Sequence, residues 1–170
     1  MKALGIVLII FVSFLLGYGK RSEQLKGERL TELFSDLFGE IKYQISYSGN
    51  PLTEILISLS STEKYSKFNF ISDALNRLKN ENKPIANALV EAFDGSAVKA
   101  VLSGEERECV QNVFSDFAKK SKEREVEKLE EARRFFLKSA EDKRAANDKK
   151  RGYYETLYTL AGTVIAIILA

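Results

Sequence analysis

Histidine and tryptophan are absent from the 170 residues, and cysteine and methionine occur once each. Without imidazole the chain lacks the commonest neutral metal ligand and the side chain that ordinarily moves protons near pH 7. A single cysteine, Cys109, excludes an internal disulfide; at an apolar helical position it reads as a small packing residue suited to a reducing compartment. Only two prolines, Pro51 and Pro84, interrupt a chain rich in Leu, Ala, Glu and Lys, a composition that favours helix over sheet. No glycine-rich phosphate loop is present: "LSGEERE" puts a glycine before a helix but lacks the lysine and hydroxyl residue that such a loop needs. Glu105, Glu106 and Glu108 fall in the first turns of that helix, where negative charge complements the helix dipole, so they are read as structural rather than as a metal cage. These absences argue against an enzyme, a cofactor and a metal.

Long uncharged runs lie at both ends. Residues 3–19 carry no charged side chain and as a helix would reach about 25 Å, enough to span a bilayer. Residues 153–170 form a second apolar stretch, with Tyr153, Tyr154 and Tyr158 spaced as an interfacial belt. Lys20 and Arg21 flank the middle on one side, Lys149, Lys150 and Arg151 on the other, and by the charge bias of membrane topology residues 20–151 are expected to be cytosolic. The competing reading is an extracytoplasmic domain behind a cleaved leader, although Lys2 alone is a thin positive region for one. Residues 22–148 hold 20 Lys and Arg against 23 Asp and Glu, which argues against nucleic acid. The basic collar would instead face anionic lipid headgroups. Ser13 and Gly17, and likewise Gly162, Ala166 and Ala170, stand four apart, the spacing that lets membrane helices approach closely.

The middle has helical periodicity. Leu30, Leu33, Phe34, Leu37, Phe38, Ile41 and Ile45 follow one face. Ser48-Gly49-Asn50-Pro51 then predicts a helical hairpin, with Gly49 ending the first helix, Asn50 capping the second and Pro51 in its first position. A serine-rich loop is expected over residues 58–62, then a helix with Phe68, Ile71, Leu75 and Leu78 inward. A turn over residues 80–84 precedes a helix carrying Ile85, Leu89 and Phe93. Between Gly104 and Gly152 nothing breaks a helix, yet the stripe Val110, Val113, Phe114 and Phe117 is out of phase with Val126 and Leu129, which predicts a bend near residues 119–122. Beyond it a long helix would bury Val126, Leu129, Phe136 and Ala140. The expected fold is all-α, an antiparallel bundle of about six helices between two transmembrane helices.

The order of these features resembles the stage III sporulation protein AB family of endospore-forming bacteria. An N-terminal anchor ends in basic residues, followed by "QISYSGNPLTEIL", "LSGEERECVQ" and the closing "LYTLAGTVIAIIL". The family's Glu-Ile-x-Tyr-x-x-x-Pro-Leu pattern maps onto Gln44, Ile45, Tyr47, Pro51 and Leu52, with Gln44 an amide where the pattern has a carboxylate. The resemblance implies a non-enzymatic part of the channel complex between mother cell and forespore, sitting in the mother-cell membrane. It also implies a cytosolic domain like that of type II secretion platform proteins, and as partners a secretion-type ATPase resembling stage III sporulation protein AA and other membrane subunits. Tyr47 and Leu52 are expected to pack across the hairpin, with partner contact as the other role of the motif. A function of a different class, a membrane-tethered scaffold binding a soluble regulator through the charged helix 122–148, stands beside this.

Overall fold

The computed structural model describes residues 25–118 and 121–149, together with positions 153, 156, 157, 160, 161 and 164. Among them there are seven α-helices and no strand. Helix α1 covers residues 25–43 and passes into a single π-helical turn, Gln44–Ser48. Next come α2 (Leu52–Ser60), a 3-10 turn (Glu63–Tyr65), α3 (Asn69–Glu81), α4 (Ile85–Asp94), the short α5 (Ala97–Val101), α6 (Gly104–Asp116) and α7 (Lys122–Lys149). Contacts divide the chain into one compact unit, Leu30–Ala140, and another formed by Met1–Arg29 with Glu141–Ala170. In the second unit, Asn147 Nδ2 donates to Glu28 Oε2 at 2.8 Å and Arg144 Nε lies 3.6 Å from Glu28 Oε1.

Within Leu30–Ala140 the apolar stripes converge on a phenylalanine core. Phe34, buried on α1, has its ring centroid 4.5 Å from that of Phe68 and 5.1 Å from that of Phe136. Phe38, Phe70, Phe93 and Phe114 extend the cluster through tilted and edge-on pairs. Each such pair adds about 0.5–1.5 kcal/mol beyond the area it buries. The α1 stripe is buried as its spacing predicts, except that Leu33 is only partly so. In α3 the inward set is Phe70, Ile71 and Ala74, with Leu75 partly buried. Phe68 precedes the helix at its N-cap position, buried, with its ring centroid 5.3 Å from that of Phe70.

The connections differ from expectation in two places. Asn50 does not cap α2: Pro51 is the N-cap, and its carbonyl takes the first helical bonds, from Glu54 N at 2.9 Å and Ile55 N at 3.2 Å. The serine run is not an open loop, since α2 continues to Ser60 before Ser61 and Thr62 end it. Within the segment between Gly95 and Ser103 stands α5. The expected turn ahead of Pro84 forms, with Asn82 in the left-handed region at φ 50°.

The predicted break between α6 and α7 is also present. Phe117 turns out of the helix, and Ala118 adopts φ 61°, a left-handed conformation unfavourable for a residue with a Cβ. Two contacts hold it: the Ala118 N–H donates to Glu125 Oε1 at 2.7 Å, and Lys128 pairs with Asp116. Beyond the break Leu129, Ala132, Phe136 and Ala140 are buried, with Val126 partly so.

None of the described helices is long and apolar enough to cross a membrane. The expected spans, residues 3–19 and most of 153–170, fall outside the described residues, as do Ser13, Gly17, Gly162 and Ala166.

Candidate partner-contact site

The family-like motif sits where α1 hands over to α2. Ile41 and Ile45, four apart, point into the core, and so Tyr43 and Tyr47 point away from it. Tyr43 is 57% exposed and Tyr47 79%, with ring centroids 5.0 Å apart. This corrects the expected packing of Tyr47 against Leu52: Leu52 is partly buried against the core, while Tyr47 stacks on Tyr43 in solvent. Pro51 is exposed. The turn that presents Tyr47 is π-helical, a geometry that widens the helix and recurs at functional positions. Gly49 then reverses the chain at φ 65°.

Helix α7 braces this turn. Lys42 Nζ donates to Glu130 Oε2 at 2.9 Å, and Lys122 Nζ reaches the Ser46 carbonyl at 3.4 Å. Glu130 is also paired with Arg134 Nε at 3.0 Å and lies 3.4 Å from Arg133 Nη1. The hydrogen bond from Lys42, then that from Arg134, holds its carboxyl at about 2. Gln44 donates through Nε2 to Glu40 Oε1 at 2.8 Å. A carboxylate at position 44 lacks that donor and would place like charges one turn apart, so the amide suits this chain's Glu40.

Away from the motif, Glu106 is fully buried and joins three helices. Its Oε1 accepts from Thr31 Oγ1 on α1 at 3.0 Å and from Ser139 Oγ on α7 at 2.7 Å. Its Oε2 accepts from the Ser103 N–H at 2.8 Å, while Ser103 Oγ accepts from the Glu106 N–H at 3.2 Å, a reciprocal capping box at the start of α6. The dipole reading of the three glutamates fails for Glu106, whose carboxylate points inward. The Ser-x-x-Glu spacing of Ser103 and Glu106 was the sequence signal for that cap. Cys109, on the same helix, is partly buried; burial pushes its thiol up to about 11, with Lys128 pulling down and Glu106 adding to the rise. Such a thiol is a poor nucleophile at neutral pH.

Of the basic collar only Lys149 is described, exposed at the end of α7; Lys20, Arg21, Lys150 and Arg151 are outside the described residues. No group of three or more acidic or thiol side chains is placed to hold a metal ion among the described residues. A family model described as Stage III sporulation protein AB matches residues 2–170. No curated protein and no solved structure matches the chain.

Proposed function

The chain belongs to the stage III sporulation protein AB family, and from that premise we propose that it is a non-enzymatic, membrane-anchored component of the channel between mother cell and forespore. Residues 3–19 and 153–170 are its anchors, the basic collar seats them at anionic headgroups, and the helical domain works in the mother-cell cytosol. There it serves as a platform for a secretion-type ATPase of the stage III sporulation protein AA kind and for other membrane subunits. The observation that carries the reading is the family match over nearly the whole length. Exposure of Tyr47 supports it: a motif tyrosine that the core leaves in solvent, doubled by Tyr43, is the kind of rigid amphipathic side chain that interfaces use as an anchor.

The test is co-purification of the full-length protein with the ATPase, comparing wild type with the double variant Tyr43→Ala and Tyr47→Ala. Two exposed tyrosines contribute little to folding, so the melting temperature should stay within about 2 °C of wild type, as for surface changes of up to about 0.5 kcal/mol. Retention of the ATPase should fall about tenfold or more, the scale of a lost aromatic anchor. Equal retention by the double variant refutes the tyrosine contact. Failure of the wild type to retain the ATPase in reconstituted membranes refutes the platform role.

A further inference from the structure

Between α6 and α7 lies an open groove of about 400 Å³. Its floor includes Val113 and Ala132, with Phe135 only partly buried in its wall. On α6 its lining residues recur at positions 105, 108, 109, 112 and 113, on α7 at 128, 131, 132 and 135, so two helical stripes face each other along about two turns. The edges are acidic. Glu105, Glu108 and Glu131 are exposed and form no ion pair or hydrogen bond among the described residues, while the Lys128 ammonium is engaged by Asp116.

Both ends of this groove are fixed. Beyond Phe135 the Ser139 hydroxyl is tied to Glu106, and at the other end Lys128 pairs with Asp116 beside the Glu125 contact to Ala118. The opening is therefore set by directional bonds between α6 and α7, and loose packing does not explain it. An apolar trough with exposed carboxylates on its rims complements one kind of ligand: a helix with two apolar side chains a turn apart and lysine or arginine on either side. Anionic lipid is disfavoured by the same carboxylates.

We propose that the α6–α7 groove is the docking site for a basic amphipathic helix of another protein. It is distinct in residues and chemistry from the Tyr43–Tyr47 pair and does not depend on the ATPase reading. The sole cysteine, Cys109, lines the groove and reports on its occupancy.

The experiment measures the alkylation rate of Cys109 in the full-length protein, at mildly alkaline pH, with and without a synthetic lysine–leucine peptide patterned as an amphipathic helix. The peptide should slow alkylation at least about fivefold at saturation. The variant carrying Glu105→Gln, Glu108→Gln and Glu131→Gln should need about tenfold more peptide for the same protection, since three exposed ion pairs each contribute a few-fold. The single variant Glu131→Lys should move the same way, and a control carrying Glu54→Gln, Glu63→Gln and Asp73→Asn should behave as wild type. An unchanged alkylation rate at saturating peptide overturns the proposal. So does protection that is equal in the groove and control variants, or equal with a glutamate–leucine peptide of the same pattern.

Discussion

Replacing Glu106 by alanine should be among the most damaging single changes in the domain, and its cost can be built from the contacts. Thr31 is fully buried and loses an acceptor at 3.0 Å; Ser139 is part-buried and loses one at 2.7 Å. Each hydroxyl that loses this acceptor costs about 1–3 kcal/mol, less where another group or water can take its place. Loss of the Glu106 half of the capping box removes the acceptor for the Ser103 N–H, worth about 1 kcal/mol. The sum is about 3–5 kcal/mol, a large share of the roughly 5–15 kcal/mol that keeps a domain folded. Glutamine at the same position behaves differently. Its carbonyl can accept the Ser103 N–H while its amide donates to Thr31 and Ser139, whose hydroxyls rotate to accept. Glu106→Gln should therefore cost about 1 kcal/mol. Thermal unfolding followed by far-ultraviolet circular dichroism should show a fall of roughly 10 °C for alanine and of about 3 °C for glutamine, given about 2–4 °C per kcal/mol at this chain length. In a double-mutant cycle, Thr31→Val should cost less on the alanine background than alone, by about 1 kcal/mol. Equal melting temperatures for the alanine and glutamine variants, or an alanine variant as stable as wild type, would refute the claim that this carboxylate organises the three helices.

Backbone conformation makes a reciprocal prediction: Gly49→Ala should destabilise by about 1 kcal/mol through φ alone, because an added Cβ at φ 65° meets no atom within 4 Å, and Ala118→Gly at φ 61° should stabilise by up to about 1 kcal/mol, both read from melting temperatures. The Glu130 carboxyl, lowered from 4.5 to about 2 first by the Lys42 hydrogen bond and then by Arg134, binds fewer protons folded than unfolded between those values, so its stabilisation is complete above pH 4.5 and is lost as pH falls towards 2. Lys42→Met should flatten the fall in melting temperature over that interval relative to wild type, and parallel curves would count against the pairing.

Much of the bundle was legible because helices here obey their period. The α1 stripe and the phase slip between Phe117 and Val126 placed one buried face and one break. The exposure of Tyr47 was legible too: it stands two residues from the buried Ile45, about 200° around a helix, and only the pull of the motif suggested packing. Other features turn on interactions that composition hides. The serine run ends α2 because Ser60 and Ser61 hydroxyls bond back to the Ile57 carbonyl at 2.8 and 3.1 Å and Thr62 to Ser58 at 3.0 Å, local bonds that a loop-forming composition does not distinguish from an open loop. Thr31, Ser35 and Ser139 fall on inward faces as isolated hydroxyls, and nothing in their spacing reveals that two of them meet one carboxylate while Ser35 Oγ donates to the Arg133 carbonyl at 3.2 Å.

Those hydroxyls bear on why a core so rich in phenylalanine holds a buried carboxyl group. Aromatic rings gain most of their energy from area, which is tolerant of sliding, and a cluster such as Phe34, Phe68 and Phe136 would accept several helix registers at similar cost. A carboxylate that must meet Thr31, Ser103 and Ser139 together accepts very few, since any slip of one turn leaves a buried donor or acceptor unmet. The same bonds fix the spacing of α6 from α7 just where the acidic groove opens, and Glu130 with Lys42 fixes α7 against the turn that carries Tyr47. Polar contacts in this domain thus set the placement of two exposed surfaces, while the rings supply the cohesion. The proposed platform role requires that division, because an interface built on helices free to slide would lose its complementarity before the domain lost its fold.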